Sequence, residues 1–173
     1  MKFRTYALLA LLVALSGITS HCAFASETSI KQFLGTVEGH WDGRGIETAL
    51  LIDGSVTKTQ IDLQLEFRNN FSGTYDETVI SRNNSVITQD QNQFKPTGNN
   101  LILTQNGFAE FVRVIESTPL SLTYQFDRIN QSTGGVYHWT YQSQLTPAHH
   151  LKIHNTVETN GTIVLDDLFD LIH

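Results

Sequence analysis

Thiols are almost missing from this chain. Cys22 is the only cysteine among 173 residues, and it lies in a stretch that reads as a removable leader. The remainder forms no disulfide, holds no Cys-ligated zinc and offers no cysteine nucleophile. Positive charge is scarce too, with 11 Lys and Arg against 17 Asp and Glu. Without Lys2 and Arg4 the balance is 9 against 17, a net charge of −8. Nucleic-acid binding needs clustered Lys and Arg, and attraction to anionic lipid needs a polybasic run. Neither pattern occurs. The apolar run at 7–18 is 12 residues long, short of the roughly 20 needed for a membrane span. Gly-x-Ser-x-Gly, phosphate-loop and dinucleotide fingerprints are also missing.

What is present begins with the leader. Lys2 and Arg4 make a positive start, residues 7–18 an apolar core, and Ala23-Phe24-Ala25 places small residues at −3 and −1. This is the pattern of a secretory signal cleaved after Ala25, with a periplasmic or secreted destination. Cys22 raises lipidation as the alternative, which the preceding Thr19-Ser20-His21 fit poorly. Residues 26–173 then form one domain of ordinary size.

Within that domain a helix is expected at 26–35, capped by Thr28 or Ser29, with Ile30, Phe33 and Leu34 on one face. The rest alternates. Ile61, Leu63, Leu65 and Phe67 interleave with Asp62, Gln64, Glu66 and Arg68, the period of a half-buried strand. Strands are expected at about 41–52, 60–68, 72–82, 85–95, 100–105, 108–116, 120–129, 135–145, 150–158 and 162–172, the last readable also as a short helix. Asn106-Gly107 and Asn160-Gly161 are tight-hairpin signals. The intervals leave no room for crossover helices, so neighbours join antiparallel. Closure removes the two sticky edges of such a meander. The expected fold is all-β, an up-and-down antiparallel barrel of about ten strands with a short N-terminal helix.

One segment is more specific. Leu34-Gly35, then Gly39-His40-Trp41-Asp42-Gly43-Arg44-Gly45, resembles the opening of lipocalin-like (calycin) barrels, nearest the nitrobindin-like and related bacterial lipocalin-like domains. The resemblance implies that Trp41 packs across the closed end of the barrel. It implies a basic residue over that Trp, for which Arg128 is a candidate. It also implies haem held by a histidine late in the chain, for which His149 is the candidate. From the residues themselves, Gly43 and Gly45 lighten one face of the first strand, letting it bend or letting a group approach closely.

Other candidates follow from parity. His150 and His154 share a face but lie about 13 Å apart at ~3.3 Å per residue, so they cannot chelate one metal. With Lys152 and Glu158 they are expected to face solvent. His149 shares the parity of Leu151 and is expected near the barrel rim. Asp76-Glu77 and Asp166, Asp167 and Asp170 read as solvated edges. Phe67, Tyr75, Phe111, Arg113, Tyr124, Phe126, Trp139 and Tyr141 fall on expected inward parities. Gln89, Gln91 and Gln93 share a face with Ile87, so either both faces there are wet or a polar lining enters the barrel. No nucleophile–base pair emerges, no metal is expected, and the chain reads as a binding protein rather than an enzyme. Its expected role is to hold a small hydrophobic or amphipathic molecule in the barrel. The alternatives are a haem barrel, a filled barrel acting through its outer surface on an envelope protein partner, and an enzyme on an apolar substrate.

Overall fold

The computed structural model of the protein describes residues 25–84, 86–131 and 133–173. All of the expected leader except Ala25, Cys22 included, lies outside the described residues. Helix α1 (Glu27–Thr36) is followed by ten strands. They are β1 (Gly39–Leu50), β2 (Val56–Asn70), β3 (Thr74–Asn83), β4 (Val86–Thr97), β5 (Asn100–Gln105), β6 (Phe108–Thr118), β7 (Ser121–Ile129), β8 (Val136–Leu145), β9 (His150–Thr159) and β10 (Thr162–Ile172). Each pairs antiparallel with the next, and β1 pairs with β10 to close the barrel. Asn106-Gly107 and Asn160-Gly161 turn their hairpins with both residues at positive φ, the conformation that matches the twist of the flanking strands. The C-terminal segment is strand throughout.

Helix α1 covers one end of the barrel, packing on β2, β4, β6 and β7. Its cap differs from expectation. Ser26 is the N-cap, and its hydroxyl accepts from the Ser29 amide at 3.1 Å while Ser29 Oγ accepts from the Ser26 amide at 3.0 Å. This reciprocal pair satisfies two otherwise orphaned donors. Ile30, Phe33 and Leu34 are buried beneath the helix. Glu27 fastens the helix to the β4–β5 turn by accepting from the Gly98 amide at 3.0 Å. Trp41 is 2% exposed and donates from Nε1 to the Val37 carbonyl at 2.8 Å. Among the described residues the opposite end has no such cover. Ile52 in the β1–β2 loop and Val86, Phe108, Ile129 and Ile163 near the strand ends are exposed there, an apolar rim around the mouth.

The closing seam runs from Asp42↔Ile172 to Ala49↔Leu165. A Cβ at Gly45 would lie 2.2 Å from a Phe169 ring carbon and 2.3 Å from the Leu168 carbonyl. One at Gly43 would lie 2.1 Å from the Asp170 carbonyl. The glycines therefore serve close approach, letting Phe169 and Leu171 fill space that side chains on β1 would occupy. Gly39 sits at φ 129°, a conformation that favours glycine.

Strand β6 corrects one expectation. Val112 and Val114 point inward and are buried, whereas Phe111 is 65% exposed and Arg113 faces solvent with it. A register shift between Val114 and Glu116 then turns Ser117 inward. Both faces of this strand carry apolar residues, so alternation alone does not choose between them. Two valines fit the crowded wall under α1, and the larger Phe111 is left outside.

Gly45→Val should lower stability by ~3 kcal/mol or more, since backbone and a buried ring must both move. Gly35, in α1, has open space around its Cβ position, so Gly35→Ala should raise stability by about 0.5–1 kcal/mol. Urea midpoints of the two variants should shift in opposite directions.

Candidate functional site

The barrel interior changes character along its axis. At the helix end it is apolar, filled by Trp41, Leu65, Leu101, Val112, Leu151 and Leu171. Towards the mouth the inward positions become polar. Two cross-strand rows carry this change, because directly opposed residues share a face. One row runs Glu47↔Asp167↔Asn155↔Tyr141↔Tyr124 through β1, β10, β9, β8 and β7. The other runs Phe67↔Glu77↔Asn92↔Gln105 through β2, β3, β4 and β5. Between them lies an internal cavity of about 180 Å³, bordered by Phe67, Glu77, Asn92, Tyr124, Tyr141 and Asn155 among others. Larger depressions of about 820 and 1060 Å³ lie on the outer wall, and both are more open. The interior cavity is therefore the one able to seclude a ligand.

One wall is aromatic. Tyr124 and Tyr141 stack at 5.1 Å between ring centroids, and Phe126 and Trp139 at 6.0 Å. Both are directly opposed pairs of β7 and β8. Arg128 extends this stack, its guanidinium 4.9 Å from the Phe126 centroid and 5.8 Å from that of Trp139. It donates to Glu110 at 2.5 Å and to Gln105 Oε1 at 2.7 Å. Arg128 thus sits on the aromatic wall near the mouth, not over Trp41.

The facing wall carries one carboxyl, Glu77 on β3, and a second, Asp167 on β10, lies in the row of Tyr141, beyond Asn155. Glu77 accepts from Asn92 Nδ2 at 2.6 Å. Part of its surface borders the cavity, yet protein surrounds it, and this burial pushes its pKa up to about 7. Asp167 is likewise raised to about 7, by burial first, then by the neighbouring charges of Glu47 and Asp166. Burial also holds the Tyr124 and Tyr141 phenols well above their ordinary range. Several polar atoms here are buried without a partner: Asn92 Oδ1, Asn155 Oδ1, Asp167 Oδ1 and Trp139 Nε1. The Tyr124 side chain is 8% exposed and makes ring contacts, while its hydroxyl forms no hydrogen bond within the described chain.

Of the residues expected from sequence, Phe67, Tyr124, Phe126 and Tyr141 border the cavity. Trp139 faces inward beside them. Tyr75 is buried at the helix end, its hydroxyl 3.4 Å from the Lys31 carbonyl, and belongs to the filled core. Phe111 and Arg113 are outside. His149 does not point into the barrel. It is exposed at φ 58° in the turn before β9, at the helix-covered end, because the strand begins only at His150. His150 and His154 do face outward, each against an aspartate of β10: Asp170 at 2.7 Å and Asp166 at 2.8 Å. The Gln89, Gln91 and Gln93 face is external, while Asn92 and Asp90 line the cavity, so both faces of β4 are polar.

Glu77 and Asp167 are the residues that sequence reading places wrongly, as solvated edges. Their signal is interrupted parity. Glu77 lies between Tyr75 and Val79 on the inward face, and Asp167 between Leu165 and Phe169. Asn155 stands the same way between Ile153 and Val157. Among the described residues no group of three or more His, Cys, Asp or Glu side chains is placed to hold a metal ion. No helix there is long and apolar enough to cross a membrane. No protein-family model and no curated protein matches the chain.

The raised Glu77 pKa has a consequence for stability. Folding favours its protonated form, so its contribution is intact below the unfolded value of about 4.5 and is lost as pH rises through about 7. That loss is at most ~3 kcal/mol, less if water enters the cavity. Glu77→Gln should therefore match the parent protein near pH 4 and exceed its stability near pH 8. Denaturant titrations at both pH values measure this, and a pH-independent difference would contradict it.

Proposed function

We propose that the protein binds a small organic molecule in the barrel cavity and that it does so after export. The observation that carries the binding reading is the pair of side-chain oxygens of Asn92 and Asn155, buried on cavity-lining residues and without a hydrogen-bond partner. Buried polar groups are ordinarily satisfied, and each one left alone costs about 1–3 kcal/mol. A group in that position stabilises a guest rather than the empty protein. The cavity-lining Tyr124, whose hydroxyl forms no hydrogen bond within the described chain, supports the same reading, as does the resemblance of Gly39–Gly45 to lipocalin-like barrels. The leader pattern supports export.

Volume narrows the guest. A cavity of about 180 Å³ is slightly larger than one of ~150 Å³ that takes a benzene molecule. It is below the ~300 Å³ typical of drug-sized ligands. The fitting guest has one ring or an equally short chain. A fatty acid or a haem exceeds that space, and His149 lies at the wrong end to serve a haem.

Two measurements test the proposal. Native mass spectrometry of protein from its own host should show an added mass that denaturation releases, and Val79→Phe, which fills the cavity, should lack it. A bare-chain mass, with no thermal shift from one-ring probes, would sink the reading. Tyr124→Phe is the finer test. It removes an atom with no partner in the empty protein, so stability should hold or rise slightly while affinity for the guest falls several-fold.

A further inference from the structure

We infer that the cavity selects a small organic cation, an amine attached to about one ring's worth of apolar surface. This rests on the reading that the cavity takes a ligand, and it specifies the ligand's charge. The inward-facing ionisable groups are strongly unbalanced. Glu47, Glu77, Asp90, Glu110 and Asp167 all occupy inward register positions. Among the described strand residues Arg128 is the sole Lys, Arg or His at an inward position; His173, just past β10, packs on Trp41 at the helix-covered end. It is already engaged by Glu110 and Gln105. Asp90 accepts from Asn106 Nδ2 at 3.2 Å at the mouth. Glu77 and Asp167 remain without a cationic partner inside the barrel.

Three of the four unpaired atoms in this region have the same sense, the exception being the donor Trp139 Nε1, which does not line the cavity. Asn92 Oδ1, Asn155 Oδ1 and Asp167 Oδ1 are acceptors. An ammonium group has three donors and no acceptor, the complement of that set. A carboxylate or phosphate guest is acceptor-only and would face these oxygens and carboxyls with no free cation to meet it. The aromatic wall fits as well, since the faces of Tyr124, Tyr141 and Phe126 attract a cation within about 6 Å. A bare metal ion is a poorer fit, because no three metal-ligating side chains converge among the described residues. The apolar floor formed by Phe67, Leu103 and Ile153 requires an organic portion to fill it.

The test compares three probes of one shape: phenethylamine, phenethyl alcohol and phenylacetate. Each is titrated calorimetrically into the full protein at about pH 8, where Glu77 and Asp167 are mostly ionised. The amine should bind at least about tenfold more tightly than either other probe. Glu77→Gln should cut amine affinity about tenfold and leave the alcohol within about twofold. Asp167→Asn supplies a second, independently folding variant with the same expected direction. Amine affinity should also fall towards about pH 5.5 as both carboxyls protonate. Alcohol or phenylacetate binding as tightly as the amine would overturn the charge assignment and leave the cavity reading standing. Binding of none of the three would overturn both.

Discussion

The pairing of β1 with β10 is the constraint on which the interior depends. Until that seam forms, the meander has two open edges and no inside. The seam requires Gly43 and Gly45, because Phe169 and Leu171 and the β10 backbone occupy the space of their missing side chains. It also fixes the closed end. Trp41 lies on the same strand, and its indole is tied to the carbonyl of Val37, just beyond the helix. One short stretch of chain thereby joins the first strand to the last and sets the helix over the barrel. Closure is what removes Glu77 from bulk water, and the raised carboxyl pKa is a remote result of two glycines.

The two ends of the barrel follow opposite rules. Under the helix the inward positions are apolar and close-packed, as a stable core requires. Towards the mouth the inward positions keep their parity but lose their hydrophobicity. Glu77, Asn92, Gln105, Asn155 and Asp167 stand where aliphatic residues would give a firmer barrel. Arg128 shows that the interior can satisfy a charge when built to do so, with a carboxylate, an amide oxygen and two aromatic faces around one guanidinium. The partnerless groups nearby contrast with it in the same few turns of sheet. Sacrificing core stability locally, beside a void, is the pattern expected where binding rather than folding sets the residue.

Much of the architecture was legible in the sequence. Period-two alternation located the strands because a half-buried wall needs it, and the Asn-Gly dipeptides located hairpins because only such residues accept both positive φ values. What alternation does not carry is the identity of the inward face when both faces are similar. In β6, Phe111 and Ile115 compete with Val112 and Val114, and the bulge after Val114 changes the phase again. His149 was misplaced by a single residue of turn. The cavity acids were lost for a different reason. Asp76-Glu77 and Asp166-Asp167 each look like a solvated pair, yet adjacent strand residues point to opposite faces. One acid of each pair must enter the barrel if the other leaves it. Following the parity of Tyr75 and Val79, or of Leu165 and Phe169, would have placed both.

Those two carboxyls also explain how an acidic cavity can stand empty. Near neutral pH their raised pKa values leave each partly protonated, so the unoccupied barrel does not bear two full buried charges. Under the cation-binding proposal, an entering cation reverses the balance. Its field favours the ionised form of each carboxyl, and protons leave as the guest arrives. On that reading the interior exchanges a proton for an ammonium without gaining net charge, whereas an anion would be opposed by the carboxyls in their ionised form. On the proposed reading, these carboxyls limit the charge of the unoccupied cavity and give it a preference for cations, which an aliphatic lining could not combine.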